Sequence, residues 1–400
     1  MIEDEKLLNV AREIGTPLYV YDGEIILNRL KRLCAAFPGF EISYYFKANP
    51  NPAIGQILAN TNTSVCVASI QELDFALKAK YIPSKITFGG PGKTRKDLEK
   101  AIDANVEIID IESELELKTV EELGADLNKK IKVILRINTL HGPESAGEIM
   151  SGIPSKFGFD EEKLIEKLKG LKFKYVEIIG IHAHSASQVF DCPSIIDHYK
   201  NVAIFSKNVA NELDFKLKII NFGGGFGIPY STDQPPLNLD VLGQSIKDTL
   251  DSIFPNHKPI FCIEPGRYLL AESGTFLTTI VDEKNSRGVN FLITDSGISG
   301  FSRPAMPWAQ QHNCSILSKS KISSNDKYKV VGRSCLEADV LCIEVKLPNP
   351  DVGDIIAVHN SGAYGYTMSM LYWSSLTLPA EVLFFKKKCM IIRDRQGVIR

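Results

Sequence analysis

Residues 218–225 read Lys-Ile-Ile-Asn-Phe-Gly-Gly-Gly, a strand-length apolar run that closes on consecutive glycines. β-branched and aromatic residues bounded by a turn signal are the pattern of a buried strand. The pattern recurs on both sides of this run. It is found at residues 43–47 (SYYFK), 64–69 (SVCVAS), 86–90 (ITFGG), 107–111 (EIIDI), 132–138 (KVILRIN), 177–184 (EIIGIHAH) and 259–266 (PIFCIEPG). Between the runs, Leu, Ile and Ala recur at helical spacing. Eight strands with room for a helix after each predict an α/β fold of the (β/α)8 barrel type rather than an open sheet. Residues 141–159, HGPESAGEIMSGIPSKFGF, interrupt the period. Their Gly, Pro and Ser content predicts a loop insertion at the C-terminal rim, where barrel sites lie.

Beyond residue 268 the helical spacing gives way to strand-like runs at 275–282, 289–294, 328–331, 340–346, 354–359 and 382–385. These predict a second, all-β domain. Residues 17–22 (PLYVYD) are strand-like too and precede the first barrel run, so they fit that second domain. The expected division is a barrel over 24–267 and a discontinuous β domain from 1–23 and 268–400.

Composition removes whole classes of function. Of 400 residues, 44% are hydrophobic and 24% charged, enough to bury a large core. Lys+Arg 46 against Asp+Glu 48 leaves a net charge of −2, which excludes nucleic acid as the main partner. The acidic first residues lack a signal peptide's basic and apolar regions, and no apolar stretch is long enough to span a membrane. The eight cysteines are scattered without a Cys-x-x-Cys pair, so neither a zinc ribbon nor a disulfide framework is expected. A reducing cytoplasm is the expected compartment.

Barrels carry their chemistry where strands end. The first run closes on Lys47. A lysine desolvated at the end of an apolar strand becomes an amine nucleophile, although such a lysine can also snorkel to solvent. The sixth run closes on His182-Ala183-His184, with Ser185-Ala186-Ser187-Gln188 beyond. Histidines at i and i+2 share a strand face, but no nearby acid or third histidine completes a ligand set. A polar barrel lining is favoured and no metal is expected. The seventh run ends in Gly223, Gly224 and Gly225. Glycines let backbone N–H groups approach a phosphate, and tight turns use them as well. The eighth ends Glu264-Pro265-Gly266-Arg267, either a surface pair or a charged set within the site. Taken jointly, an amine, a glycine cradle, flat histidines and a carboxylate are the parts that pyridoxal phosphate needs. The lysine would form the Schiff base, the glycines hold the phosphate and the acid face the pyridine nitrogen.

In this order the motifs resemble those of the fold-type III, alanine-racemase-like barrel decarboxylases, which include diaminopimelate, ornithine and arginine decarboxylases. Tyr45-Phe46-Lys47-Ala48-Asn49 resembles the family's lysine motif. Residues 182–188 resemble its H-x-H-x-G-S-Q segment, with Ala186 in place of the glycine. Residues 223–230 (GGGFGIPY) and 264–267 (EPGR) agree almost letter for letter. Gly332-Arg333-Ser334-Cys335 with Asp339 is similar to G-P-x-C-x-x-x-D, and residues 361–365 (SGAYG) also match.

The resemblance implies a pyridoxal-phosphate-binding TIM barrel with a C-terminal β domain, and a carboxy-lyase acting on an amino-acid-type substrate. Lys47 would carry the cofactor and His184 would stack on its ring. Ser187, Gly224, Gly225, Gly266 and Tyr364 would hold the phosphate, and Arg267 the phosphate or a substrate carboxylate. Glu264 would keep the pyridine nitrogen protonated, and Cys335 would return a proton to Cα. Arg136, counted with the cofactor-binding residues, and Glu72 would support them. A head-to-tail homodimer with sites at the subunit interface is also implied.

Departures from the family bear on the substrate. Leu336 follows the cysteine where diaminopimelate decarboxylases carry Glu, and ornithine decarboxylases Asp, to receive a distal ammonium. Arg303-Pro304-Ala305 resembles the substrate motif R-P-A-L-Y, with Pro307 at the tyrosine position. Cys66 stands where the family commonly has Asp. A carboxylate-binding Arg303 without an amine acceptor favours a substrate with a distal carboxylate or acyl group, as in siderophore, antibiotic or carrier-linked pathways. Residues 88–94, 152–158, 308–313 and 361–366 resemble that branch. Diaminopimelate decarboxylation in lysine biosynthesis is the alternative. A racemase on the same barrel is disfavoured by Glu264, and a non-catalytic homologue by Cys335 and Tyr364.

Overall fold

In the computed structural model, which describes residues 2–142, 147–231, 234–303, 311–317 and 326–395, eight parallel strands close on themselves. They run Glu41–Tyr45, Ser64–Val67, Ile86–Phe88, Ile108–Ile111, Ile131–Asn138, Val176–His182, Ile219–Asn221 and Ile260–Ile263. Each pairs with the next, and Cys262 opposite Glu41 with Ile263 opposite Ile42 returns the eighth strand to the first. This is the barrel the spacing predicts. Helices begin where a short polar side chain satisfies a backbone N–H. Asn51, Ser69, Thr94, Ser113, Asp191 and Asn238 each cap one. Ile109, Ile111, Val133 and Leu135 pack with Leu117, Val120 and Leu123 of helix Glu114–Asp126. Each such fully buried side chain contributes about 1.5–3 kcal/mol.

Three local expectations are corrected. Where the pattern carries the first strand through Lys47, the strand stops at Tyr45. Phe46–Ala48 is a 3₁₀ turn, closed by the Asn49 N–H donating to the Phe46 carbonyl at 3.1 Å. The sixth strand ends at His182, so His182 and His184 do not share a strand face. Residues 141–159 are not all loop. Glu148–Ile149 pairs antiparallel with Ala186–Ser187, and Phe159–Asp160 pairs parallel with Ile137 and Asn138, so the polar insertion satisfies part of its backbone as sheet. Residues 143–146 of that stretch lie outside the described residues.

The chain divides into two compact units, Leu30–Ile228 with Pro236–Tyr268, and Met1–Arg29 with Pro229–Pro235 and Leu269–Arg400. The second unit thus includes 24–29 and 229–235, which the expected boundaries assign to the barrel. Its sheet centres on Leu18–Asp22, antiparallel to Gly274–Ser286 and parallel to Ala380–Phe385. Helix Asp4–Ile14 seats Leu7, Val10 and Ala11 on Leu18, Val20 and Leu277 of that sheet. Lys327–Gly332 runs parallel to Val289–Thr294 and antiparallel to Val340–Lys346. Cys314–Ile316 and Lys388–Arg393 are strands that the sequence pattern does not predict. The sulfurs of Cys314 and Cys342 come together in this unit, a single close pair, and the other six cysteines are free. Among the described residues no helix is long and apolar enough to cross a membrane.

Candidate active site

The turn that ends the first strand lifts Lys47 clear of the sheet ladder. Its Nζ lies 4.4 Å from the centre of the Tyr45 ring and forms no hydrogen bond or ion pair with the described residues. Glu72 accepts the Ala68 N–H at 2.8 Å. Burial pushes the Glu72 carboxyl above the usual range, against that hydrogen bond and the Lys47 charge. His184 accepts the Gly224 N–H on Nδ1 at 3.2 Å. Burial, with the positive charges of Lys47 and Arg136 behind it, holds its pKa well below that of free histidine, so the ring is neutral.

The glycine run forms a backbone cradle. Gly223 and Gly225 have φ of +68° and +104°, a conformation open to glycine and strained for other residues. A Cβ on Gly225 would stand 2.2 Å from the Ala186 carbonyl oxygen. The loop is thus packed directly on His184, Glu264 and Ala186, a close approach that only glycine allows. Arg267, opening helix Arg267–Leu270 directly after Gly266, donates from Nη2 to Ser187 Oγ at 3.4 Å.

Glu264 is 4% exposed. Its Oε1 accepts from Asn221 Nδ2 at 2.7 Å, and its N–H donates to the Gly223 carbonyl at 2.7 Å, which ties the acid to the cradle. Behind it lies a buried charge network. His182 Nδ1 is 2.7 Å from Asp110 Oδ2, and its Nε2 is 3.5 Å from Glu264 Oε2. Arg136 Nη1 donates to Glu112 Oε1 at 2.8 Å, and the Gly158 N–H donates to Glu112 Oε2 at 2.8 Å. Burial pushes the Cys66 thiol up, helped by the charges of Glu264 and Asp110.

Asp110, Glu112 and Asn221 are members of the site that the sequence reading misses, although an acid inside the apolar run EIIDI was a signal. Nearby carboxylates flank His182, contrary to the expectation of none. Among the described residues, however, no set of three or more groups is arranged to hold a metal. The residues present fit pyridoxal phosphate: an amine with no ion pair among the described residues, a glycine loop that presents backbone without side chains, and a buried carboxylate held by an amide.

The remaining predicted residues lie in the strand-rich unit. Arg303 is 3% exposed; its Nε donates to His312 Nε2 at 3.3 Å, and its guanidinium lies 4.6 Å from the centre of the Tyr230 ring. Cys335 is exposed and Leu336 half-buried. Their loop is held by buried Asp339, which accepts the Ile298 N–H at 2.7 Å and the Ser334 N–H at 3.0 Å. Tyr364 has φ of +58°. Pro304, Ala305, Pro307 and residues 308–310 lie outside the described residues.

The family model described as the pyridoxal binding domain of pyridoxal-dependent decarboxylase matches residues 24–271. The chain belongs to the pyridoxal-dependent decarboxylases. This decarboxylase is 31% identical to the diaminopimelate decarboxylase of Aquifex aeolicus, over 99% of its own length and 93% of the relative's. It is 29% identical to the L-glutamyl-[BtrI acyl-carrier protein] decarboxylase of Niallia circulans, over 96% and 92%. The crystal structure of Helicobacter pylori diaminopimelate decarboxylase complexed with L-lysine superposes with a TM-score of 0.88 at 30% identity, covering 98% of this chain and 96% of that one. This decarboxylase is thus a carboxy-lyase dependent on pyridoxal phosphate. The diaminopimelate decarboxylases among these relatives match the alternative reading better than the conjugated-substrate branch that Leu336 favours.

Proposed function

We propose that this chain decarboxylates a diaminopimelate-type amino acid, one whose distal end bears a second carboxylate. The observation carrying this reading is the likeness to diaminopimelate decarboxylases over almost the full length of both chains. Buried Arg303, with the sequence Arg303-Pro304-Ala305, supports it as the group for the distal carboxylate. A guanidinium can pair both carboxylate oxygens at once.

In the proposed arrangement Lys47 Nζ holds the cofactor covalently, and neutral His184 lies against its ring. Gly224, Gly225 and Gly266, with Ser187, Arg267 and Tyr364, hold the phosphate, and Arg136 sits beyond them. Glu264 faces the pyridine nitrogen. When bound, pyridoxal phosphate supplies an electron sink for the carbanion that CO₂ leaves behind. Cys335 Sγ holds the proton that goes to Cα, and Leu336 lines the substrate space. Following the family resemblance, we place two subunits head to tail with the sites at their interface, where Cys335 and Tyr364 approach the cofactor of the neighbouring subunit or of their own.

Leu336 favours a second reading, a carrier-linked or otherwise acylated substrate. A leucine cannot receive the distal ammonium of free diaminopimelate. Loading the protein with pyridoxal phosphate and following CO₂ from diaminopimelate, ornithine, lysine, arginine, citryl- and glutamyl-conjugates and a glutamyl carrier protein separates the two. Fastest release from diaminopimelate supports the first reading. Release confined to conjugates or carrier-bound glutamate replaces it with the second, and isomerisation without CO₂ would sink both.

A further inference from the structure

Asn221 is not the only group that faces Glu264. His182, the last residue of the sixth strand, stands between two carboxylates, 2.7 Å from Asp110 Oδ2 through Nδ1 and 3.5 Å from Glu264 Oε2 through Nε2. All three side chains are buried, at 2% exposure or less. A neutral imidazole has one N–H and one lone pair. Whichever nitrogen carried a single proton, the other would set its lone pair against those of a carboxylate, in surroundings with little water to screen it. A proton on Nδ1 satisfies the Asp110 contact; Nε2 has no hydrogen-bond partner in this structure, so a second proton there acts on Glu264, 3.5 Å away, through its charge, and offsets one of the two negative charges.

The other titratable groups around the ring allow this. Burial by itself pushes the His182 pKa down, but Asp110 and Glu264 outweigh it against opposition from Arg136, and the net direction is up. Arg136 is itself paired with Glu112 at 2.8 Å. Burial keeps the Cys66 thiol and the Tyr45 phenol protonated, and His184 and His198 neutral.

We propose that His182 is an imidazolium bridge, a positioning residue which, anchored by Asp110, sets a positive charge beside Glu264 Oε2 while Asn221 holds Oε1. The bridge stands on the geometry of the three side chains. Its consequence for the cofactor rests on the proposed facing of Glu264 and the pyridine nitrogen.

The test is a pH titration of the full-length, cofactor-loaded protein with ¹⁵N-labelled histidine rings, the His182 signals being identified by their loss in His182→Gln. The expected result is two ring protons on His182 at pH 7. In Asp110→Asn, and again in Glu264→Gln, the midpoint should fall by at least about one pH unit, the lower end of what a neighbouring opposite charge produces. A single ring proton at pH 7 in the unaltered protein overturns the proposal without any variant. A midpoint unmoved by Asp110→Asn, or by Glu264→Gln, overturns it as well. The visible absorption of the same samples separates the two layers. If the midpoint falls in Glu264→Gln while the cofactor band and its pH dependence are unchanged, the bridge is supported, and it is the facing of Glu264 and the pyridine nitrogen that fails.

Discussion

The β-carbon that Gly224 lacks would stand 2.3 Å from the carbonyl oxygen of Glu264. Neither atom belongs to a side chain that can rotate away, so the loop and the strand end are interlocked. The spacing between the cradle's N–H groups and the acid is therefore fixed by backbone. Gly224→Ala must push the two apart, at a cost of about 1–3 kcal/mol. The expected outcome is a lower melting temperature together with reduced pyridoxal phosphate retention after gel filtration. A variant that melts and retains cofactor like the parent would show that the loop gives way freely.

Lys47 has no ion pair among the described residues, which leaves its amine available for covalent chemistry. Lys47→Ala should abolish the visible band of the bound cofactor and lower CO₂ release by at least about a thousandfold, the scale on which enzymes lose a covalent nucleophile. Lys47→Arg should fail as well, because a guanidinium stays charged and cannot act as an amine. A persistent band in Lys47→Ala would move the attachment point elsewhere.

Arg136 and Glu112 form an ion pair at 2.8 Å with side chains 5% and 2% exposed. Removing one partner strands the other's charge out of water. Arg136→Met should destabilise the fold by about 3–5 kcal/mol in urea unfolding, and adding Glu112→Leu should recover much of the loss. If the double variant is no better than the single one, the pair is not the source of the effect.

His198 places Nε2 3.2 Å from the Phe222 carbonyl oxygen and Nδ1 3.2 Å from Ser185 Oγ. Burial lowers its pKa from 6.5 to about 4. Because the folded value is the lower one, the unfolded chain takes up the proton first. Stability from this group is complete above pH 6.5 and is lost as pH falls toward 4. His182, with its pKa raised, acts in the opposite sense and contributes stability that is lost as pH rises. His198→Gln should therefore flatten the acid limb of a plot of stability against pH. Parallel limbs in parent and variant would assign the acid sensitivity to other groups.

The barrel was legible in sequence because its strands are mostly buried, so each shows as a short, predominantly apolar run with turn residues after it. The glycine run, Glu264 and Lys47 stood out as candidates because they close such runs, where barrels place their sites. The 3₁₀ turn at Phe46–Ala48 was not, since Phe46 and Lys47 suit a strand as well as a turn and only the pairing ladder shows where the strand stops. Asp110 and Glu112 were missed for a different reason. Their partners lie 72 residues away at His182 and 24 away at Arg136, and only the parallel pairing of the fourth, fifth and sixth strands brings these ends together. Leu336 illustrates the opposite hazard: one changed residue weighed heavily on the substrate, while likeness along the whole chain points to diaminopimelate-type relatives.

Tyr21 Oη donates to Glu381 Oε1 at 2.7 Å across 360 residues of chain, and the strand that carries Tyr21 lies in the middle of its sheet. On the ribosome that strand emerges about 360 residues before its parallel neighbour. At about 5–20 residues per second the wait is roughly 20–70 s. Throughout that interval an apolar β segment has no partner on one edge, a liability for pairing with other nascent chains. Production of this enzyme should thus be more sensitive to chaperone supply and translation speed than a barrel alone would be.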